Sequence, residues 1–143
     1  MSHRFASSVE VEMVDLTGRA KTQRATLTVD VGTAPPDLSA TATLFTPEGS
    51  YTGTGPDLFD ALKDLRRQTE PYCPAVQAAR RFTWPSPNAR EGGAVVVNDL
   101  AADRFRLLPS LDPAEPEELV TVDEQERQFA EYAGRRGPSG RGR

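Results

Sequence analysis

Hydrophobic and polar residues alternate along three stretches in the first third of the chain. In residues 8–16, apolar side chains alternate with serine and glutamates, and the same period of two recurs in residues 25–31 and 39–46. This alternation is typical of strands that bury one face. Residues 17–20 supply a turn, so the first two strands are predicted to form a hairpin.

A helical period replaces the alternation after Asp57. Pro56 and Asp57 suit the start of a helix, because proline has the required φ and a carboxylate complements the free N–H groups there. Pro71 is expected to end the helix, since the residue before a proline avoids the α region. Residues 51–55 are spaced by glycines and are expected to bring the chain close to the helix start. Four residues recur at the spacing of one buried helical face: Leu58, Ala61, Leu62 and Leu65.

Two more extended segments are predicted beyond this helix. Residues 76–82 and 94–97 are apolar enough for strands, whereas residues 84–88 contain two prolines and are predicted to be neither helix nor strand interior. The predicted order is therefore three strands, a helix and two strands (βββαββ). We expect an α+β fold, in which one helix covers an antiparallel sheet of about five strands and a C-terminal helix is added.

The composition changes near the end of the chain. Residues 1–110 carry the predicted α+β globular domain, and residues 111–120 are acidic, contain prolines and are predicted to be a surface linker. Thr121 opens a capping-box pattern with a glutamate three residues on, which predicts a C-terminal helix over residues 121–133. Residues 134–143 consist of Gly, Arg, Pro and Ser, so we expect a disordered basic tail.

Charge and cysteine content narrow the classes of function. The formal net charge is −4, and residues 111–133 hold eight acidic residues against Arg127 alone, which argues against a general nucleic-acid binder. No run approaches the ~20 apolar residues of a membrane span, so we expect no membrane partner. One cysteine, Cys73, and one histidine, His3, cannot form a His/Cys zinc site within one chain. We expect no metal, no cofactor and a cytoplasmic location, since a single cysteine fits a reducing compartment.

Residues 79–93 resemble a family of small actinobacterial proteins of unknown function. That family carries an aromatic-Pro-Ser motif, a short spacer, an arginine and a glycine pair. Residues 57–62 and 121–125 are also similar to it, whereas residues 87–88 depart from its pattern. The resemblance implies no activity and no catalytic residue. In this chain the motif consists of Trp84, Pro85 and Ser86, followed by Arg90 and then Gly92 and Gly93.

A looser resemblance is one of topology. Three strands followed by a helix that opens on Gly-x-Gly-x-Asp look like the antitoxin domains of the HicB type. This pattern is short, and the acidic segment after residue 110 is not part of it. The resemblance implies an antitoxin-like domain that binds nucleic acid, a nucleotide or another anion.

The candidate site lies in the aromatic-Pro-Ser motif and beside it. Arginine forks grip planar anions in bidentate fashion, and glycines can present bare N–H groups. The alternative is that the arginines pair with acidic residues such as Asp60, Asp64 or Glu70. Trp84 could stack on a base or on a partner's peptide, or it could close one end of the core. The residues of this candidate anion-binding or partner-binding site are Arg80, Arg81, Trp84, Arg90, Gly92 and Gly93.

The sequence assembles no acid–base pair and no activated nucleophile. Cys73 has no recognisable base nearby, and a nucleophile needs a positioned partner. Residues 53–55 lack the lysine and the remaining glycines of a phosphate loop. We therefore expect a non-catalytic module that binds another protein, with its oligomeric state left open. The alternative is an antitoxin-like domain that binds nucleic acid, a nucleotide or another anion through the candidate site and through Arg66 and Arg67; an enzyme is the third hypothesis.

Overall fold

Five strands form the main antiparallel sheet. The computed structural model describes residues 4–101 and 106–140, with the side chains of the last helix described as far as Arg135. The strands lie in the order β4-β3-β2-β1-β5. Their bounds are β1 Arg4–Asp15, β2 Ala20–Gly32, β3 Ala40–Thr46, β4 Gly49–Gly55 and β5 Tyr72–Pro74.

Helix α1, Leu58–Thr69, covers the inner face of this sheet. Asp57 caps its N-terminus, where the carboxylate accepts a hydrogen bond of 2.8 Å from the backbone nitrogen of Asp60. Phe59 and Leu62 are almost fully buried, and the helix packs against β3 and β4. The alternation in the strands supplies the facing apolar surface, so one core forms between sheet and helix.

A second, three-stranded sheet lies beside the core. It consists of β6 (Thr83–Trp84), β7 (Val96–Asp99) and β8 (Leu107–Pro109), in that order, and a short helix α2 (Pro87–Glu91) connects β6 to β7. The last element is the C-terminal helix α3, Val122–Gly140. Among the described residues, no helix has the length and apolar character that crossing a membrane requires.

The predicted fold class is confirmed, and three details differ from the expectation. Residues 49–55 pair with β3, so four strands rather than three precede α1. Residues 76–82 are not a strand, because Gln77–Ala79 form a 3-10 turn. The prediction that residues 84–88 exclude helix is wrong, since Ser86 caps α2 and a proline is well tolerated in the first turn of a helix.

The acidic segment 111–120 is packed on the globular body. The backbone nitrogen of Ala114 donates to the carbonyl of Ala75 over 3.0 Å, and the side chain of Leu119 is fully buried. Asp112, Glu115 and Glu117 remain exposed, whereas Ala114 and Leu119 pack inward. That the segment is a surface linker stays a prediction.

Helix α3 extends beyond its predicted end. Its backbone is helical to Gly140, whereas the sequence predicted an end at Ala133. Residues 141–143 lie outside the described part of the chain. The expectation that residues 134–143 are disordered in solution therefore stays a prediction.

Candidate functional site

Trp84 lies at the junction of α1, α2 and α3. Its ring stacks on that of Phe129, with centroids 4.4 Å apart and planes 6° apart, and meets the ring of Phe59 edge-on at 5.0 Å. Nζ of Lys63 lies 4.9 Å from the centre of the Trp84 ring. Because Phe129 already occupies a stacking position, this geometry matches the alternative in which the tryptophan closes one end of the core.

Arg90 lies beside this aromatic cluster and is paired within the chain. Its Nη1 lies 2.7 Å from Oδ2 of Asp57 and 3.1 Å from Oδ2 of Asp60. The Asp57 side chain is nearly inaccessible to solvent, whereas that of Arg90 is about one-third exposed. Asp57 thus caps α1 with one carboxylate oxygen and holds Arg90 of α2 with the other. An external anion would compete with two carboxylates for this guanidinium.

Arg80 and Arg81 face a different neighbour, the segment 111–120. Nε of Arg80 lies 3.2 Å from a carboxylate oxygen of Glu118, and its Nη1 forms an ion pair of 3.4 Å with Asp99 that lacks hydrogen-bond geometry. Burial alone would raise the pKa of Glu118, but the backbone N–H of Glu115 and the Arg80 guanidinium hold that pKa below its usual range. Arg81 is exposed and donates to the carbonyl of Glu117.

The glycine pair ends α2 instead of presenting free N–H groups. Gly92 donates to the carbonyls of Asn88 and Ala89, and Gly93 donates to that of Arg90 over 3.0 Å. Gly93 has a φ of +86°, and a Cβ there would lie 2.8 Å from the carbonyl oxygen of Gly32. The structure thus brings Trp84 and Arg90 together, places Arg80 and Arg81 against segment 111–120, and uses the glycines for a turn.

Arg66 is buried, although the sequence suggested an exposed basic side chain that could contact nucleic acid. Its Nη1 donates to Oε1 of Gln125 over 2.7 Å, and its Nη2 donates to the carbonyl of Val120 over 2.8 Å. Burial lowers the pKa of this guanidinium. The amide of Gln125 also donates to the carbonyls of Ala78 and Arg80. This network docks α3 on α1, and it removes Arg66 from any surface that could meet a nucleic acid.

Acidic residues of α3 pair with basic residues of α1. Glu126 lies 2.8 Å from Nζ of Lys63 and 3.1 Å from Nη2 of Arg67, and Asp123 lies 3.5 Å from Arg67. The hydrogen bond from Lys63 lowers the pKa of Glu126. Part of the negative charge between residues 111 and 133 therefore stabilises this chain and is not free for an external partner.

A cleft of about 530 Å³ opens at the other end of the molecule. It lies between the inner face of the main sheet and the C-terminal end of α1. Met13 and Leu44 are buried at its floor, whereas Tyr51 and Tyr72 are 36% and 47% exposed. No sequence motif marks this cleft, because its lining comes from several separate parts of the chain. The lining residues are Met13, Thr22, Gln23, Leu44, Thr46, Glu48, Tyr51, Gln68, Thr69, Glu70 and Tyr72.

Within the described residues, no group of three or more His, Cys, Asp or Glu side chains is placed to hold a metal ion. Comparison of the chain with known protein families finds no match, and comparison with characterised proteins finds none of significant similarity. The function is therefore inferred from the geometry alone.

Proposed function

We propose that the protein is a non-catalytic module whose cleft binds an extended segment of another protein. The observation that carries this proposal is a cleft in which two tyrosines, Tyr51 and Tyr72, remain 36% and 47% exposed above the buried Met13 and Leu44. Tyrosine is enriched at protein interfaces, because its ring offers a large rigid contact area and its hydroxyl can hydrogen-bond. One apolar side chain of the segment enters the cleft and packs against the two tyrosine rings.

The charge of the cleft indicates the chemistry of that segment. Glu48 and Glu70 are acidic, and none of the lining residues is Lys or Arg. One oxygen of Glu48 accepts a hydrogen bond from Gln23, and one oxygen of Glu70 accepts from the backbone of Val122, so each carboxylate keeps a second oxygen. A segment with Lys or Arg next to its apolar anchor fits, since a cation also interacts favourably with tyrosine rings.

The setting of this function is also a proposal. We place the protein in the cytoplasm, supported by its single cysteine, Cys73, which is buried and free. Burial raises the pKa of the Cys73 thiol, which fits a structural rather than a reactive cysteine. Membership of the actinobacterial family with the aromatic-Pro-Ser motif is supported by the residues of that motif.

Selection from a random peptide library, followed by fluorescence anisotropy with the enriched peptides, tests the proposal. We expect the enriched sequences to carry one large apolar residue flanked by Lys or Arg. Replacing both tyrosines, Tyr51→Ala and Tyr72→Ala, should weaken binding by about tenfold or more. Phe45→Ala is the matched control, because Phe45 is 51% exposed on the opposite face of β3.

A charge reversal adds a second test of the cleft. Glu48→Lys should weaken binding of the basic peptides, whereas Glu117→Lys, at an exposed residue outside the cleft, should leave their affinity unchanged. Far-UV circular dichroism shows whether each variant is folded. A library that yields no binders, or binders equally strong on the double tyrosine variant, would contradict the proposed function.

A further inference from the structure

The main sheet has one edge that the described chain leaves open. Strand β1 pairs with β2 along its whole length, but on its other side β5 reaches only Met13, Val14 and Asp15. Two further bonds on that side join the backbone nitrogen of Ala75 to the carbonyl of Glu12, and that of Leu16 to the carbonyl of Pro71, each over 2.9 Å. No described strand lies beside residues 4–10, which we call the open edge.

The hydrogen bonds show which backbone groups face outward there. Glu12 and Leu16 use their backbone groups toward the β5 side, and in an antiparallel strand such groups alternate from residue to residue. Even-numbered residues of β1 therefore point their N–H and C=O groups away from β2. On the open edge these residues are Arg4, Ala6, Ser8 and Glu10.

The opposite edge of the sheet is protected, in contrast. On β4, the outward nitrogen of Thr54 donates to the Asp64 carboxylate over 3.0 Å, and the outward carbonyl of Thr52 accepts from Gln68 over 2.7 Å. Both side chains come from α1. Proteins usually cover or disrupt exposed edges to prevent pairing with another chain, so an edge left uncovered on β1 is a surface available for pairing.

The sequence of the open edge is complementary to itself. If two copies pair antiparallel about a two-fold axis at Ser7, Arg4 of one copy lies opposite Glu10 of the other, and Phe5 lies opposite Val9. Residues directly opposite each other share a face of the sheet. The charged pairs then lie on the outer face, where Nε of Arg4 already lies 2.9 Å from Asp30 of its own chain, so that Glu10 of the second copy joins an existing ion pair. The apolar pairs lie on the inner face, where Phe5 is 37% exposed in the single chain.

Neighbouring registers fit less well. An axis at Ser8 places Arg4 opposite Glu12, whose carbonyl is already bonded to Ala75. An axis at Ala6 places Glu10 opposite a residue before Arg4 and so loses the charge pair. Only the axis at Ser7 lets all four outward residues exchange both backbone hydrogen bonds with the second copy.

We propose that the protein forms a symmetric dimer in which the open edges of two copies pair antiparallel about Ser7. The two main sheets then become one continuous sheet across the dimer. This surface is separate from the cleft, so the dimer does not depend on the proposed peptide-binding function.

Reversing the charges one at a time and then together tests the pairing. Arg4→Glu and Glu10→Arg each place like charges opposite one another twice per dimer, which should raise the dissociation constant about tenfold or more. The double variant restores opposite charges and should return the constant to near that of the unchanged protein. Sedimentation equilibrium over a range of concentrations measures it.

Cross-linking tests the register independently. Pairs that do not exchange backbone hydrogen bonds have Cα atoms about 4.5 Å apart, which lies within the range that a disulfide spans. Ser7→Cys should therefore form a disulfide-linked dimer under mild oxidation, whereas Ala6→Cys and Ser8→Cys, whose partners in the second copy are not themselves, should react more slowly. Cys73 does not compete, because it is buried.

Three outcomes would overturn the proposal. The first is a chain that stays monomeric at every concentration, and the second is a dimer that the single charge reversals leave unchanged. The third is faster cross-linking of Ser8→Cys than of Ser7→Cys, which would show another register. Binding of the selected peptides to the cleft should be the same in all the β1 variants, so failure of the dimer and failure of the proposed function are distinguishable.

Discussion

Gly53 sets the distance between β4 and α1 by having no side chain. A Cβ there would lie 2.3 Å from the carbonyl oxygen of Ala61 and 2.5 Å from the backbone nitrogen of Leu65. Backbone atoms cannot rotate away, so the helix would have to move. We predict that Gly53→Ala lowers the free energy of unfolding by about 1–3 kcal/mol or more.

A urea titration measures this effect against a matched control. Gly18 lies in the turn between β1 and β2, and nothing lies within 4 Å of a Cβ built on it. Gly18→Ala should therefore change the free energy of unfolding by less than about 0.5 kcal/mol. If Gly53→Ala and Gly18→Ala unfold at the same urea concentration, α1 does not approach β4 this closely in solution.

The role of Gly53 could be predicted from the sequence, but the burial of Arg66 was missed. Glycines just before a helix start are a local signal for close approach, and the sequence carries it. A signal for Arg66 also existed, because Arg66 lies four residues after Leu62 and so extends the apolar face of α1. Its partner, Gln125, is far away in the sequence, and no local pattern identifies it.

Gln125 is the main polar link between α3 and the rest of the fold. It accepts from the buried guanidinium of Arg66 and donates to the carbonyls of Ala78 and Arg80. Gln125→Ala leaves a buried charge and two carbonyls short of partners, which should cost about 2–4 kcal/mol. Glu131→Ala, at an exposed residue of the same helix, is the control and should unfold like the unchanged protein.

Acid should weaken the docking of α3. The pKa of Glu126 is lowered from 4.5, chiefly by the hydrogen bond from Lys63. A carboxyl whose pKa is lower in the folded state stabilises that state at pH values above the pKa that it has in the unfolded chain. This contribution is lost as the pH falls through the pKa of the folded state. We predict that stability is maintained above about pH 4.5 and declines below it.

Trp84 reports this change because it is the single tryptophan and stacks on Phe129 of α3. Its emission should shift to longer wavelength as acid releases the helix. Glu126→Gln should show a smaller dependence on pH, since it removes one of the titrating groups. If Glu126→Gln shows the same shift of emission with pH as the unchanged protein, other carboxyls control the transition. Candidates are Glu118 and Asp15, whose pKa values are also lowered.

Strands β1, β2 and β3 of the main sheet were predictable, because the alternation in each stretch shows which face is buried, whereas β4 and β5 were not predicted as strands. The second sheet was not predictable, since β6 and β8 contain only two and three residues and lack room for a period. The acidic segment after residue 110 was predicted as a linker from its composition alone. Its contacts include Arg80, which pairs with Glu118, and the carbonyl of Ala75. Both residues precede the segment by many positions and give no local sign of the pairing.

At the scale of the whole molecule, two of the three arginines of the candidate site are paired with the chain's own acids. Arg80 pairs with Asp99 and Glu118, and Arg90 pairs with Asp57 and Asp60. A polyanion would have to displace these carboxylates and approach a chain whose formal net charge is −4. Nucleic-acid binding through this region is therefore disfavoured on electrostatic grounds.

The last prediction tests this directly with the triple variant Arg80→Ala, Arg81→Ala and Arg90→Ala. If the arginines are structural, the variant should unfold at lower urea concentration, because buried Asp57 loses its ion pair with Arg90 and buried Asp99 loses one of its two arginine partners. Labelled oligonucleotides should then show no salt-dependent anisotropy change with the unchanged protein. Binding of phosphates, in contrast, would weaken steeply with added salt as counterions are released. Tight, salt-sensitive binding that the triple variant loses, with its stability intact, would show that these side chains serve an anion and not the fold.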